Sequence, residues 1–300
     1  MKSGGFGEDL KRADRKRGFF QLIFAVLFNG YAAGFTKGKI FTGKTKAICV
    51  PVLNCHSCPG ALGACPIGSL QKVLAGSSRV SFYALGFLML FGVVLGRLVC
   101  GFLCPFGWIQ DLLHRIPGKK AELPEKIDRP ARKLKYAVLL LLVVLLPMAV
   151  RDEFGIGTTF FCAWLCPAGT LEAGLPLLAA NPELRLMIGG QFYWKLALLI
   201  ALLLWSVFTY RPFCRYLCPL GAFYGLFNRF SLYQYRFESE KCTGCGACAR
   251  ACQMKIDVTK NVNSAECIRC GRCIAACPED AISRKKIFSR TETGKTGEER

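Results

Sequence analysis

Histidine is nearly absent from this chain: His56 and His114 are the only two among its 300 residues. The topology argued below puts them on opposite sides of a bilayer, which excludes a bis-histidine haem. No Cys-x-x-Cys-His haem attachment sequence, phosphate-binding glycine loop or nucleophile elbow occurs either, and their absence argues against c-type haem, nucleotide and acyl-transfer chemistry. Acid is also scarce, with 20 Asp and Glu against 40 Lys and Arg, a formal net charge of +20. No basic-aromatic stripe of a nucleic-acid module accompanies that excess, so no nucleic acid is expected as a partner. The charge reads as membrane topology plus attraction to anionic lipid.

Cysteine is abundant instead, with 18 in the chain. Eight fall in two copies of one pattern, Cys242-x2-Cys245-x2-Cys248-x3-Cys252 and Cys267-x2-Cys270-x2-Cys273-x3-Cys277-Pro278. This is the spacing of a ferredoxin with two [4Fe–4S] clusters, in which the fourth cysteine of each run ligates the other cluster. Cys242, Cys245, Cys248 and Cys277 are therefore expected on one cluster, and Cys267, Cys270, Cys273 and Cys252 on the second. A zinc site uses two separated ligand pairs and fits the crowding less well. Gln253 replaces the proline that usually follows the last cysteine of the first run; that proline shapes a turn and does not ligate. A small α+β ferredoxin domain is expected over residues 236–285, with its clusters standing in for a core that fifty residues cannot build.

Upstream the composition is that of a membrane protein, with 52% hydrophobic residues overall. Four apolar runs predict spans: Phe19 to Phe35, Ser81 to Leu103, Tyr136 to Val150 and Trp194 to Tyr210. The first also resembles a signal peptide, but Ala32-Ala33-Gly34 is a poor cleavage site and a spanning helix is expected. Phe161 to Ala179 is apolar but broken by Pro167, Gly169, Gly174 and Pro176, which suits a half-helix or interfacial segment. The expected fold class is thus an α-helical polytopic membrane domain of two repeated hairpins, followed by the double-cluster ferredoxin domain. The expected divisions are a basic N-terminus 1–18, a membrane domain 19–235, the ferredoxin domain and a polar tail 286–300. The basic N-terminus (Lys2, Lys11, Arg12, Arg15, Lys16, Arg17) and the loop from Arg115 to Lys135 place both termini in the cytoplasm of a multi-pass cell-membrane protein. Lys37, Lys39, Lys44, Lys46, Lys72 and Arg79 in the first outer loop run against that rule.

Within the membrane part the tetrapeptide Cys-Pro-x-Gly occurs four times, beginning at Cys65, Cys104, Cys166 and Cys218. Three copies have a cysteine four residues earlier, at Cys100, Cys162 and Cys214, whereas the first has Cys55 and Cys58, with Cys49 further upstream. Span and motif alternate, which is a repeat of two hairpins. A pair at i and i+4 shares a helix face, and the proline then ends the helix or bends the chain away. Two-fold packing would gather Cys100, Cys104, Cys214 and Cys218 at the inner face, and Cys58, Cys65, Cys162 and Cys166 at the outer face. Each group is one cluster's worth of thiols, so one or two further Fe–S clusters are expected there, the second about 30 Å across the bilayer core. Phe160, Phe161, Ala163, Trp164 and Leu165 would keep water from the outer group. Structural thiols and outer-face disulfides are the alternatives.

Cys100-Gly-Phe-Leu-Cys104-Pro105 and Cys214-Arg-Tyr-Leu-Cys218-Pro219, the four spans and the C-terminal double ferredoxin together resemble the NapH/NosR-type membrane polyferredoxins. The resemblance covers roughly residues 80 to 285. It implies electron exchange between the quinone pool, or a ferredoxin-like donor, and a redox partner such as an outer-face reductase. Cys55, Cys58, Cys65, Cys162 and Cys166 lie outside the basic pattern of that family, and no FMN-attachment domain precedes the spans, so a NosR-like variant is expected to be incomplete. Asp111 and His114 could shuttle protons for a quinone, although a solvated face is the simpler reading of them. His56 sits beside the outer motif as an exposed loop residue or a ligand. Arg97, one turn before Cys100, either offsets cluster charge or snorkels to the surface. The reading is a membrane-bound iron–sulfur electron-transfer protein. Its rivals are a transmembrane thiol–disulfide relay and a maturation factor for a partner metalloenzyme.

Overall fold

Four helical stretches form where the apolar runs lie: Phe6–Phe28, Phe82–Leu95, the end-to-end pieces Leu134–Ala137, Val138–Leu145 and Leu146–Ala149, and Gly190–Phe208. The structure is a computed structural model and describes residues 6–77, 81–121, 123–153 and 155–285. The expectations for Lys2, Arg79 and the tail 286–300 lie outside those residues. Among the described residues one helix, Gly190–Phe208, is long and apolar enough to cross a membrane, with a mean hydropathy of 1.6 over its apolar window. The helix Phe82–Leu95 is apolar but has 14 residues, short of the roughly 20 that a hydrocarbon core requires.

The sequence expectation of one continuous helix to Leu103 is corrected here. Ser81 caps the helix by accepting from the Ala84 amide at 3.3 Å, and Gly96, with φ +54°, ends it. The chain restarts as Leu98–Phe102, and the break turns Arg97 fully into the interior rather than letting it snorkel. The fourth stretch repeats the device. Arg211 follows Gly190–Phe208 in the left-handed region at φ 48°, and it too is fully buried. The first expected span is likewise divided, one helix ending at Phe28 and a short one running Ala32–Lys37.

The proline of each Cys-Pro-x-Gly copy does more than stop a helix. Pro66, Pro105 and Pro219 are the first residues of Pro66–Ser77, Pro105–His114 and Pro219–Phe227. The fixed φ of proline suits that first position, where its missing N–H is no loss. Each preceding cysteine is thereby set at a helix N-terminus.

The C-terminal lobe closes on a two-stranded antiparallel sheet, Tyr235–Phe237 with Ile282–Arg284, in the register Tyr235↔Arg284 and Phe237↔Ile282. Short helices Ala247–Ala251 and Arg272–Ala275 carry the cysteine runs. The lobe is packed tightly onto the helical part. A side chain at Gly101 would stand 2.3 Å from the Ile268 carbonyl oxygen, so only glycine permits this approach. Arg269 donates to the carbonyls of Leu95 (2.8 Å) and Asn228 (2.7 Å), while Asn228 donates to the carbonyls of Ser264 and Cys267. Glu266 of the lobe pairs with two fully buried cations, Arg97 at 3.0 Å and Lys135 at 2.5 Å, and these hold its carboxyl below the usual range.

Removing one member of a buried ion network strands the others and costs about 3–5 kcal/mol. Glu266→Ala is therefore expected to lower the thermal stability of the lobe's attachment and to speed proteolytic release of the fragment after Arg229. Unchanged melting and cleavage would contradict this docking. Because the folded-state pKa of Glu266 is depressed, the same contribution is present at neutral pH and disappears as pH falls through that lowered value.

Candidate metal centres

Sixteen of the eighteen cysteines gather into four groups of four, and all eighteen are free thiols. In the C-terminal lobe, Cys242, Cys245, Cys248 and Cys277 line a cavity of about 340 Å³. Cys252, Cys267, Cys270 and Cys273 line a second, small and apolar one. Each group takes three cysteines from one run and the fourth from the other. Cys245 is exposed and opens on a groove of about 1160 Å³ between the first helix and the lobe. That groove has an apolar floor of Phe20, Phe24, Leu98 and Phe102 and a rim that includes Arg12, Lys16 and Arg250.

The third group, Cys100, Cys104, Cys214 and Cys218, is buried, and its members lie close enough to feel one another's charge. Two crossed hydrogen bonds bind its halves. Arg97 donates to the Cys214 carbonyl at 3.1 Å, and Arg211 donates to the Cys100 carbonyl at 2.6 Å. Each arginine lies three residues before the first cysteine of its own pair and crosses to the other pair. The space it needs comes from the motif glycine: a side chain at Gly107 would stand 3.1 Å from Arg211, and one at Gly221 would stand 3.3 Å from Arg97. Gln110 donates to the Cys214 sulfur at 3.1 Å. Arg211 is in turn paired with Asp111, which also forms an ion pair with Arg17 at 3.3 Å. Asp111 is thus a buried counter-charge, and the expectation that it lies on a solvated face or shuttles protons with His114 is corrected. The ring of His114 instead packs edge-on against Tyr210 at 5.4 Å.

The fourth group departs from expectation in one member. A cavity of about 170 Å³ is lined by Cys55, Cys65, Cys162 and Cys166, with His56 and Lys195. Cys58 is not on that lining. Its thiol points to Asn29 at 3.5 Å, and its amide donates to the Cys55 carbonyl, so the turn at Cys55–Cys58 sends the two thiols different ways. Cys55 comes forward in its place. Its amide is fixed by Glu172 at 2.7 Å, and burial pushes that carboxyl up to about 8. His56 is driven down to about 4 by burial and by Lys72 and Lys46, so it is neutral at physiological pH. Spacing alone puts Cys58 in the group; the Glu172 carboxyl group that fixes the Cys55 amide is 117 residues away in sequence.

All four Cys-Pro-x-Gly copies share a local geometry. The glycine amide faces the cysteine sulfur: Gly221 to Cys218 at 3.4 Å, with Gly68, Gly107 and Gly169 bonded in the same way to Cys65, Cys104 and Cys166. Backbone N–H groups at a helix start thus face the sulfur, the kind of contact that a cluster-ligating sulfur accepts. The tetrapeptide is therefore a cap that presents its cysteine to N–H donors.

The groups also suit a polynuclear centre. Among the described residues no set of three or more Cys, His, Asp or Glu converges tightly enough for a single metal ion. In the three groups that line a cavity, four soft thiols around one space suit a cubane cluster better than a mononuclear zinc. The groups are also neighbours. Arg17 and Tyr210, bonded to each other at 3.1 Å, feel both Cys270 and Asp111. Tyr224, fully buried with its hydroxyl on the Pro51 carbonyl, is near enough to Cys65, Cys100 and Cys104 to feel their charge. Tyr224 follows Cys218 by six residues, about 9 Å of helix. One buried side chain, Tyr224, thus senses cysteines of both the third and the fourth group.

Residues 80–124, 136–176 and 192–233 match a 4Fe-4S binding domain, and residues 234–278 match a 4Fe-4S dicluster domain. The uncharacterized protein MJ0750 of Methanocaldococcus jannaschii is 30% identical over 226 residues, which are 73% of this chain and 85% of that protein. The methylamine utilization ferredoxin-type protein MauN of Paracoccus denitrificans is 31% identical over 199 residues, 64% of this chain and 62% of that protein. The chain belongs to the NapH/NosR-type polyferredoxin family. The regulatory protein NosR of Stutzerimonas stutzeri is 29% identical over 161 residues, 52% of this chain but 20% of NosR. The chain thus spans under two thirds of MauN and a fifth of NosR. No solved structure matches it. Membership makes it an iron–sulfur electron-transport protein. The family matches begin at residue 80 and so leave out Cys55 and Cys65.

Proposed function

We propose that this protein is a multi-pass membrane protein that conducts electrons between two [4Fe–4S] clusters in its C-terminal lobe and a third cluster on Cys100, Cys104, Cys214 and Cys218. The observation that carries the proposal is the docking of the lobe beside that buried group, through Ile268 on Gly101 and Glu266 on Arg97. In the lobe, Cys242, Cys245, Cys248 and Cys277 hold one cluster, and Cys252, Cys267, Cys270 and Cys273 hold the other. Each bound cluster supplies a one-electron carrier. The residues around the third group do the remaining work. Arg97 and Arg211 offset thiolate charge, the motif glycines donate N–H groups to sulfur, and Phe106 and Phe213, packed edge-on at 5.2 Å, help exclude water.

The exposed Cys245 and its groove are where a ferredoxin-like or quinone-linked redox partner exchanges electrons. Membrane embedding is supported by the outward faces of all four helical stretches, which carry Phe19, Val26, Phe82, Leu90, Leu140, Leu141, Trp194 and Leu204. Contiguous apolar surface on this scale needs lipid or protein cover. The basic stretches at the N-terminus and from Arg115 to Lys135 support an orientation with both termini in the cytoplasm, in which an outer-face partner completes the circuit.

Two measurements test this reading. In anaerobically prepared full-length protein, Cys252→Ser is expected to alter the EPR signal lost in Cys267→Ser and to leave the one lost in Cys242→Ser. The reverse pattern would overturn the ligand assignment, and iron-free protein with reducible disulfides would overturn the cluster reading in favour of a thiol relay. For topology, Ala121→Cys in intact cells is expected to take up an impermeant thiol reagent no faster than the parent chain; strong extra labelling would invert the orientation.

A further inference from the structure

The fourth cysteine group reproduces the construction of the third. In the third, Gln110, five residues after Pro105, donates to the sulfur of Cys214, the first cysteine of the opposing pair. In the fourth, Gln71, five residues after Pro66, donates to the sulfur of Cys162 at 3.3 Å, and Cys162 is again the first cysteine of the opposing pair. Gln71 is fully buried, and its carbonyl oxygen accepts from the Phe161 amide at 3.0 Å, which fixes its donor end on the sulfur. A cation bonds the backbone of that same opposing cysteine in both sites: Arg97 to the Cys214 carbonyl, Lys195 to the Cys162 carbonyl at 3.2 Å. The motif glycines face across the cavity. A side chain at Gly68 would stand 3.8 Å from the Cys162 sulfur, and one at Gly169 would stand 3.8 Å from the Cys55 sulfur.

From this correspondence we infer that Cys55, Cys65, Cys162 and Cys166 bind a fourth iron–sulfur cluster, and that Cys58 is not among its ligands. Two of the ligands lie upstream of the segments that match the 4Fe-4S binding domain, so this site is an addition built from the first outer loop. The inference rests on the cluster reading of the third group, because the two sites share the Cys-Pro-x-Gly cysteines, the glutamine donor to sulfur and the cation on the opposing carbonyl. The donor set suits the group. Four free thiols line one cavity, two of them carry a glycine amide at a helix start, and no single-ion geometry competes among the described residues. Tyr224, buried and bonded to the Pro51 carbonyl, feels cysteines of both groups, so the fourth site extends the same series of carriers.

Iron and acid-labile sulfide in the full-length, anaerobically purified protein separate this inference from the reading it rests on. Four cubane clusters require about sixteen iron atoms per chain. About twelve would leave the third cluster and overturn the fourth, and about eight would overturn both. Cys55→Ser is expected to lower the count by about four, whereas Cys58→Ser keeps it; the opposite pattern would overturn the ligand set. Gln71→Met guards against misfolding of the cysteine variants. It is expected to retain all the iron and to shift the EPR signal that Cys55→Ser removes. A shift confined to some other signal would count against the site, as would a Cys65–Cys162 disulfide found by mass spectrometry in the wild-type chain.

Discussion

Burying thiolate ligands in an apolar interior requires cations that are themselves buried, and this requirement organises the molecule. Arg97 and Arg211 are both inaccessible to solvent and sit at the two helix breaks that precede the inner cysteine pairs. Each donates across to the opposite pair, so neither half of the site can form without the other. A buried guanidinium needs a counter-charge in turn. Arg211 finds Asp111 within the helical part, whereas Arg97 finds Glu266 in the lobe. The lobe is thus held by the same charge network that compensates the site beside it. In the proposed electron path, coupling between carriers and attachment of the lobe are therefore one physical feature.

The Cys-Pro-x-Gly tetrapeptide gains its meaning at this level. Proline starts a helix, cysteine occupies the cap, and the glycine amide turns to the sulfur. Hydrogen bonds to sulfur and burial are among the main levers on cluster potential, and the repeat supplies both four times over. Glycine also leaves room for the crossing arginine at the inner site, which a side chain would obstruct.

Much of this was legible in the sequence, for reasons that differ by region. The lobe's cysteine groups were legible because spacing within eleven residues fixes a local wrap, and the structure gathers the eight cysteines in the expected two sets. The inner group followed from the repeat, and the structure brings its two cysteine pairs together through the crossed bonds of Arg97 and Arg211. The outer group was legible apart from one member: the sequence expectation takes Cys58, seven residues before Cys65, whereas Cys55, ten before it, lines the cavity, its amide held by Glu172 while the Cys58 thiol turns to Asn29. Helix continuity was misread at Gly96–Arg97, where a positive-φ glycine and a buried arginine look on paper like the polar end of one long span. The role of Asp111 was hidden likewise, because its partner Arg211 is a hundred residues away. Family membership supports the electron-transfer chemistry, while the relatives' differing lengths keep their individual roles their own.

The central claim is that a cluster on Cys100, Cys104, Cys214 and Cys218 sits next to one on Cys252, Cys267, Cys270 and Cys273. Magnetic interaction between reduced clusters tests it most directly. In fully reduced full-length protein, the EPR signal of the lobe cluster on Cys267 should be broadened by a neighbouring spin. The broadening should vanish in the Cys100→Ser, Cys214→Ser double variant while the lobe's own signals persist. A lobe signal that is sharp from the outset and identical in the variant would contradict the account.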